Sequence, residues 1–133
     1  MRSNLSAVAA GVALLVSAPV FAHHSFEAEY DSNKPINITG SVTKVEWMNP
    51  HARFYVEVKD EKGVVTNWNF ELGSPNVLTR QGWRRDSLKV GDTVTVEGYM
   101  AKDGARLANA RRVTLADGRK VFAGYTAGEG GPQ

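Results

Sequence analysis

Hydrophobic and polar residues alternate along much of this chain with the two-residue period of half-buried β-strands. The two clearest runs have as their alternating members Phe54, Val56 and Val58, then Val64, Thr66, Trp68, Phe70 and Leu72. Between the runs, residues 60–63 read Asp-Glu-Lys-Gly, a composition typical of a hairpin turn. The pattern therefore predicts two antiparallel strands, each with one face in the core.

An earlier strand is predicted over residues 36–47, where β-branched residues are frequent. Its apolar pairs, Ile36 with Ile38 and Val45 with Trp47, are out of phase with each other. Gly40 lies between them, and we expect a bend or bulge there that changes the phase. Residues 48–50, Met-Asn-Pro, then form a turn.

A short helix is predicted after the third strand. Ser74 followed by Pro75 is a helix start, and Gly82 is a helix end. A fourth strand with Val94 and Val96 facing inward and a fifth over residues 106–115 follow. Three strands, one helix and two strands is the element order of the OB-fold, so we predict an all-β, OB-fold-like five-stranded barrel. A small β-sandwich or an open barrel is the alternative.

The first 22 residues have the pattern of a secretory signal peptide. Arg2 precedes an apolar run over residues 5–16, which is shorter than the roughly 20 residues that span a bilayer. We predict cleavage after Ala22 and a periplasmic or secreted protein without a membrane span; an uncleaved anchor is the alternative. The expected organisation is a signal peptide (1–22), an N-terminal arm (23–35), the barrel domain (36–122) and a flexible Gly-rich tail (123–133).

Composition narrows the function classes. The 133 residues are 42% hydrophobic, which fits one globular domain and excludes a wholly disordered chain. The absence of Cys excludes disulfides, thiolate metal ligands and a Cys nucleophile. A net charge of +2, from 16 basic and 14 acidic residues, is too balanced to favour nucleic acid as a partner.

Three sequence segments resemble those of a family of small uncharacterised secreted bacterial proteins. The segments are residues 23–26 (His-His-Ser-Phe), residues 46–52 (Glu-Trp-Met-Asn-Pro-His-Ala) and residues 67–71 (Asn-Trp-Asn-Phe-Glu). The resemblance covers nearly the whole chain after the signal peptide. It implies export and a compact β-rich domain, and it implies no particular activity.

The histidines are the strongest candidates for chemistry. Cleavage after Ala22 would make His23 and His24 the amino terminus, where the amine and the imidazoles favour Cu(II). Residues 24–31 alternate like a short amphipathic strand, and such an arm is long enough to bring its start beside His51. We therefore predict copper binding by His23, His24 and His51. Zinc with Glu27 or Glu29 is an alternative, as are incidental histidines, with His51 holding the turn at residues 49–50.

A metal-free function is the main alternative. Residues 80–120 are rich in arginine, and Arg84, Arg85 and Arg112 are candidate ligand-binding residues. A barrel of this kind could bind a protein partner, a glycan or an anionic ligand, although such charges are often a solvated face. No catalytic motif is present, so an enzyme is not predicted; an oxidoreductase that uses bound copper is a distant third option. The sequence leaves the oligomeric state open.

Overall fold

The computed structural model describes residues 26–123, which form a mostly β structure. In chain order the elements are α1 (residues 26–29), β1 (Tyr30–Glu46), β2 (Arg53–Lys59), β3 (Val65–Glu71), α2 (Pro75–Arg80), β4 (Thr93–Ala101), β5 (Leu107–Thr114) and β6 (Lys120–Phe122). Within residues 26–123 no helix has the length and apolar character needed to cross a membrane.

Five of the strands close into a ring. β1 pairs with β2 on one side and with β4 on the other, and β2–β3 and β4–β5 are also antiparallel. A short parallel pairing between β3 and β5 closes the ring, and β6 extends the sheet beyond β5. The prediction of an all-β fold with a helix between the third and fourth strands is therefore confirmed.

The inside of the ring is the hydrophobic core. Its residues with no exposed side-chain surface include Phe54, Val56, Phe70, Leu78, Val96, Ala108 and Val113. The rings of Phe54 and Phe70 stack at a centroid distance of 5.2 Å across β2 and β3. Because residues alternate along a strand, the neighbours of these core residues face away from the core. We call that side of the strands the outer face.

The helix α2 begins and ends as its sequence predicts. Ser74 is the N-cap, and its Oγ accepts a hydrogen bond from the backbone N–H of Val77 at 3.4 Å. The helix stops at Arg80, and Gly82 follows with a φ of +94°, a conformation that glycine adopts without strain. The buried indole of Trp83 then donates to the carbonyl oxygen of Phe122 at 2.7 Å, which ties this segment to β6.

The bulge in β1 lies at Thr43 and not at Gly40. Gly40 pairs regularly with Val94, whereas the register with β2 shifts between Val42 and Lys44. A glycine is needed at position 40 for a different reason, because a Cβ there would overlap the carbonyl oxygen of Glu57. The change of phase was therefore predicted correctly, but the glycine marks a close approach of two backbones and the extra residue comes three positions later.

The start of the described chain differs from the predicted extended arm. Residues 26–29 are helical, and β1 begins at Tyr30 instead of residue 36. Phe26 and Tyr30 are four residues apart, so a helical turn places both rings on one side, with their centroids 5.6 Å apart. At the other end Ala123 is buried and donates to the carbonyl oxygen of Arg111. The rest of the predicted tail, 124–133, lies outside the described residues.

Candidate functional site: a polar pocket on the outer face

A row of polar side chains crosses three strands on the outer face. Arg53 in β2 is the register partner of Glu71 in β3, and Glu71 is the partner of Asn109 in β5. Their neighbours Phe54, Phe70 and Ala108 belong to the core, so this row points away from it. The parallel β3–β5 pairing is therefore what brings Asn109 beside Glu71.

Glu71 is buried and has three polar partners. Arg53 Nη2 lies 2.7 Å from Oε2, and the hydroxyl of Tyr30 donates to the same oxygen at 3.1 Å. Nδ1 of His51 lies 3.1 Å from Oε1. A buried carboxylate is costly unless it is paired and hydrogen-bonded. The side chains of Tyr30, His51 and Arg53 meet that requirement. We call Glu71 and these three residues the outer polar cluster.

The N-terminal segment covers this row and leaves a pocket beneath it. Phe26 contacts Tyr30 and also Tyr99 of β4, with ring centroids 6.1 Å apart in the second contact. The pocket has a volume of about 250 Å³. It is lined by Phe26, Glu29, Tyr30, His51, Arg53, Glu71 and Asn109. The pocket therefore brings together residues from all three sequence segments described above, namely Phe26, His51 and Glu71.

Burial and the charge of Glu71 shift two pKa values in this pocket. Burial, followed by the nearby Glu71 carboxylate, raises the pKa of Tyr30 well above its usual range. Partial burial, and then the same carboxylate, raises the pKa of Glu29. Both shifts favour the uncharged form of the group, as expected where negative charge is already present and solvent is partly excluded.

His51 is positioned by the backbone that follows it. Ala52 donates to the carbonyl oxygen of Gly73 and accepts from the backbone N–H of Leu72 at the end of β3. The imidazole is thus fixed next to Glu71, an arrangement in which a carboxylate sets the orientation and tautomer of a histidine.

The predicted metal ligands fall only partly within the structure. His51 lines the pocket, whereas His23 and His24 lie outside the described residues. Glu27 and Glu29 are both exposed, and only Glu29 also lines the pocket. Within residues 26–123 no three His, Asp or Glu side chains cluster closely enough to hold a metal ion.

The predicted ligand-binding arginines lie in different places. Arg84 and Arg85 are exposed and follow α2. Nε of Arg84 lies 3.7 Å from Oδ1 of Asp86, and Arg84 lines a surface depression together with Arg119. Arg112 lies on β5 and lines a separate groove of about 490 Å³ together with Arg111, Tyr99 and Phe122. The structure therefore does not bring the three together in one depression.

Sequence reasoning missed Arg53, Glu71 and Asn109. Their positions in the alternating strands do indicate the outer face, where a charged residue is ordinarily solvated. What makes them part of a site is the cover formed by Phe26 and Tyr30, together with the pairing of β3 with β5. The sequence did contain a signal for Glu71, because this charged residue directly follows the core residue Phe70 and belongs to the segment at residues 67–71.

Fold and site together define a small all-β protein with a closed strand ring and a covered polar pocket on its outer face. The chain belongs to a family of unknown function, DUF6152, whose profile matches residues 12–110. This span includes every residue that lines the pocket. A search of curated proteins gives no match to the chain.

Proposed function

We propose that this protein is an exported binding protein that takes up copper beside the outer polar cluster. In this proposal the signal peptide 1–22 is removed, and His23, with its free amine, His24 and His51 supply the nitrogen ligands. Three or four nitrogen donors suit Cu(II), which has the highest affinity among the divalent metals of its series. Storage, delivery or tolerance of copper would follow from such binding.

The observation that carries the proposal is that Phe26 and His51 line the same pocket. His23 precedes Phe26 by only three residues, a distance of at most about 11 Å along an extended chain. The new amino terminus would therefore start within reach of His51. The covering turn of residues 26–29 supports this more directly than the extended arm expected from the alternation, because it lies across the outer face itself.

The pairing of His51 with Glu71 also supports the proposal. Metal-binding histidines commonly donate one ring N–H to a carboxylate, which orients the ring and leaves the metal to the other nitrogen. Nδ1 of His51 lies 3.1 Å from Glu71, so Nε2 would be the coordinating atom. Arg53 and Tyr30 in turn hold the carboxylate in place.

The test is a Cu(II) titration of the exported protein, with mass spectrometry to establish that it begins at His23. We expect stoichiometric binding that is lost in His51→Ala and in a version with Met before His23. Glu71→Gln should weaken binding by about tenfold or more, because the orienting carboxylate loses its charge. Glu57→Gln, an exposed change on β2, is the matched control. Binding that is unaffected by His51→Ala and by the added Met would refute the proposal.

A metal-free ligand-binding module is the second candidate. The observation in its favour is the groove beside Arg112, where the guanidinium of Arg111 lies over the rings of Tyr99 and Phe122 at 5.7 and 5.9 Å. Arginine held on aromatic rings is suited to carboxylate or phosphate recognition. Binding of an anionic glycan such as polygalacturonate that is lost in Arg112→Glu and kept in Arg84→Glu would favour this candidate. Neither candidate assigns a reaction to the protein.

A further inference from the structure

Asn109 presents an unusual group to the pocket under α1. Its side chain is only 1% exposed, and its Oδ1 has no hydrogen-bond partner within residues 26–123. A buried acceptor without a partner costs about 1–3 kcal/mol, so such groups are rare unless something else supplies a donor. Asn109 lines the pocket, so a molecule bound in the pocket would be in place to supply that donor.

The charge of the pocket indicates what kind of donor fits. Besides the ion pair of Arg53 with Glu71, the pocket is lined by the carboxylate of Glu29. Arg53 is committed to Glu71 at 2.7 Å, whereas Glu29 forms no ion pair within residues 26–123. A donor that also carries a positive charge would therefore balance Glu29 and satisfy Asn109 at once.

The walls of the pocket agree with a cationic ligand. The rings of Phe26 and Tyr30 form one side, and aromatic faces attract ammonium groups. A volume of about 250 Å³ is enough for a small organic molecule but not for a large one. The acceptor on Asn109 requires a hydrogen-bond donor, and in an ammonium ion that donor is an N–H group, which excludes a fully methylated ammonium as the best partner.

We propose that this pocket binds a small primary alkylammonium ion, whose N–H groups donate to Asn109 Oδ1 and whose charge is balanced by Glu29. The aliphatic part of the ligand lies against Phe26 and Tyr30. This inference does not depend on the copper proposal, because it uses only the described side chains and requires no metal.

The test is an NMR titration of the exported protein in the presence of a metal chelator, with n-butylammonium chloride as the probe. The side-chain amide signals of Asn109 and the backbone amide of Glu29 are followed. We expect saturable shifts in both, and little or no effect of tetramethylammonium chloride, which has the charge but no N–H donor. The chelator separates this result from copper binding, so either proposal can fail without the other.

Two variants with a matched control complete the test. Glu29→Gln should raise the Kd for n-butylammonium about fivefold or more, the equivalent of about 1 kcal/mol. Glu27→Gln removes the same charge from the same turn but outside the pocket. It should change the Kd less than twofold, because a distant surface charge is screened and has roughly that small an effect on binding. Asn109→Leu should abolish the saturable shift at Glu29; if it fails to fold, Glu29→Gln decides alone.

Three outcomes would overturn the inference. The first is the absence of saturable shifts at Asn109, which would mean that the pocket holds only water. The second is an equal response to tetramethylammonium, which would indicate non-specific attraction of cations. The third is an equal loss of affinity in Glu29→Gln and Glu27→Gln, which would place the ligand outside the pocket.

Discussion

Glu71 is the residue on which the outer polar cluster depends. Its carboxylate accepts from Tyr30 and Arg53 and lies beside His51, and these partners come from two segments of the chain, the start of β1 and the start of β2. Removing the charge would leave the partly buried guanidinium of Arg53 without its charged partner. The carboxylate therefore has a structural role that can be measured apart from any ligand.

We expect Glu71→Gln to lower the free energy of unfolding by about 1–3 kcal/mol, since a buried charge pair is broken from one side. Urea unfolding at neutral pH measures the change. The control Glu57→Gln, an exposed substitution on β2, should stay within about 0.5 kcal/mol of the natural protein. Equal stability of the two variants would show that Glu71 is not stabilised by its partners.

Tyr30 gives a prediction about pH. Burial and the Glu71 carboxylate raise its pKa in the folded protein, whereas in the unfolded chain the pKa is about 10. Above that pH the unfolded state binds fewer protons than the folded state. The stability that protonated Tyr30 contributes is therefore present below pH ~10 and is lost as the pH rises.

Urea unfolding at about pH 9 and 11, on either side of the ordinary tyrosine pKa, measures this loss. Tyr30→Phe should lower stability at neutral pH by about 1 kcal/mol through the lost hydrogen bond, and should show a smaller fall at high pH. Tyr55→Phe, which changes a half-buried hydroxyl on β2, is the control and should keep the full fall. A fall that is the same in all three proteins would contradict the assignment to Tyr30.

At the scale of elements, the pairing of β4 with β5 contains a bulge close to Asn109. The register shifts after the pair of Glu97 with Arg112, because Gly98 pairs with Ala110 and Arg111 is the extra residue. At this point the two backbones lie so close that a Cβ on Gly98 would overlap the carbonyl oxygen of Asn109. The glycine therefore permits the local geometry that positions the Asn109 side chain.

We expect Gly98→Ala to cost about 3 kcal/mol or more, because a clash with backbone cannot be relieved by a rotamer change. Thermal or urea unfolding measures it. Gly104→Ala is the comparison: Gly104 has a φ of +78° with open space around it, so only backbone strain of about 1–2 kcal/mol applies. If Gly98→Ala cost no more than Gly104→Ala, the close approach would not matter for stability.

At the scale of the whole molecule, the segment after α2 and the last described strand hold each other in place. The indole of Trp83 donates to the carbonyl oxygen of Phe122, and Gly73 donates to that of Ala123. β6 itself is only three residues long and pairs with one strand, β5. These contacts are what keep the end of the described chain on the ring.

We expect Trp83→Phe to lower the free energy of unfolding by about 2 kcal/mol, through the lost hydrogen bond and lost packing. Hydrogen exchange at the amide of Ala123, which donates to Arg111, should also become faster. Trp68→Phe is the control, because Trp68 is a core residue of β3, a strand that does not pair with β6. Unchanged exchange at Ala123 in Trp83→Phe would show that the indole does not hold β6.

The sequence by itself determined the central strands and the helix α2. Alternation placed Phe54, Phe70 and Val96 inside the fold, and Ser74 with Gly82 delimited α2, because side-chain period and helix capping depend on residues close together in the chain. The same local signals placed the change of phase in β1 close to its true position. They were insufficient for residues 26–29, where the alternation suggested a strand and the contacts of Phe26 with Tyr30 and Tyr99 accompany a helical turn.

Only the tertiary structure decided the site. Glu71 is an ordinary outward-facing residue until Tyr30, 41 positions earlier, covers it, and Asn109 reaches it only because β3 pairs with β5. Contacts between distant segments decide whether a charged group is buried and whether a buried polar atom has a hydrogen-bond partner. The alternation of residues along a strand does not carry that information. For this protein the sequence therefore determined which residues face outward, and the closed ring with its covering turn decided which of them form a pocket.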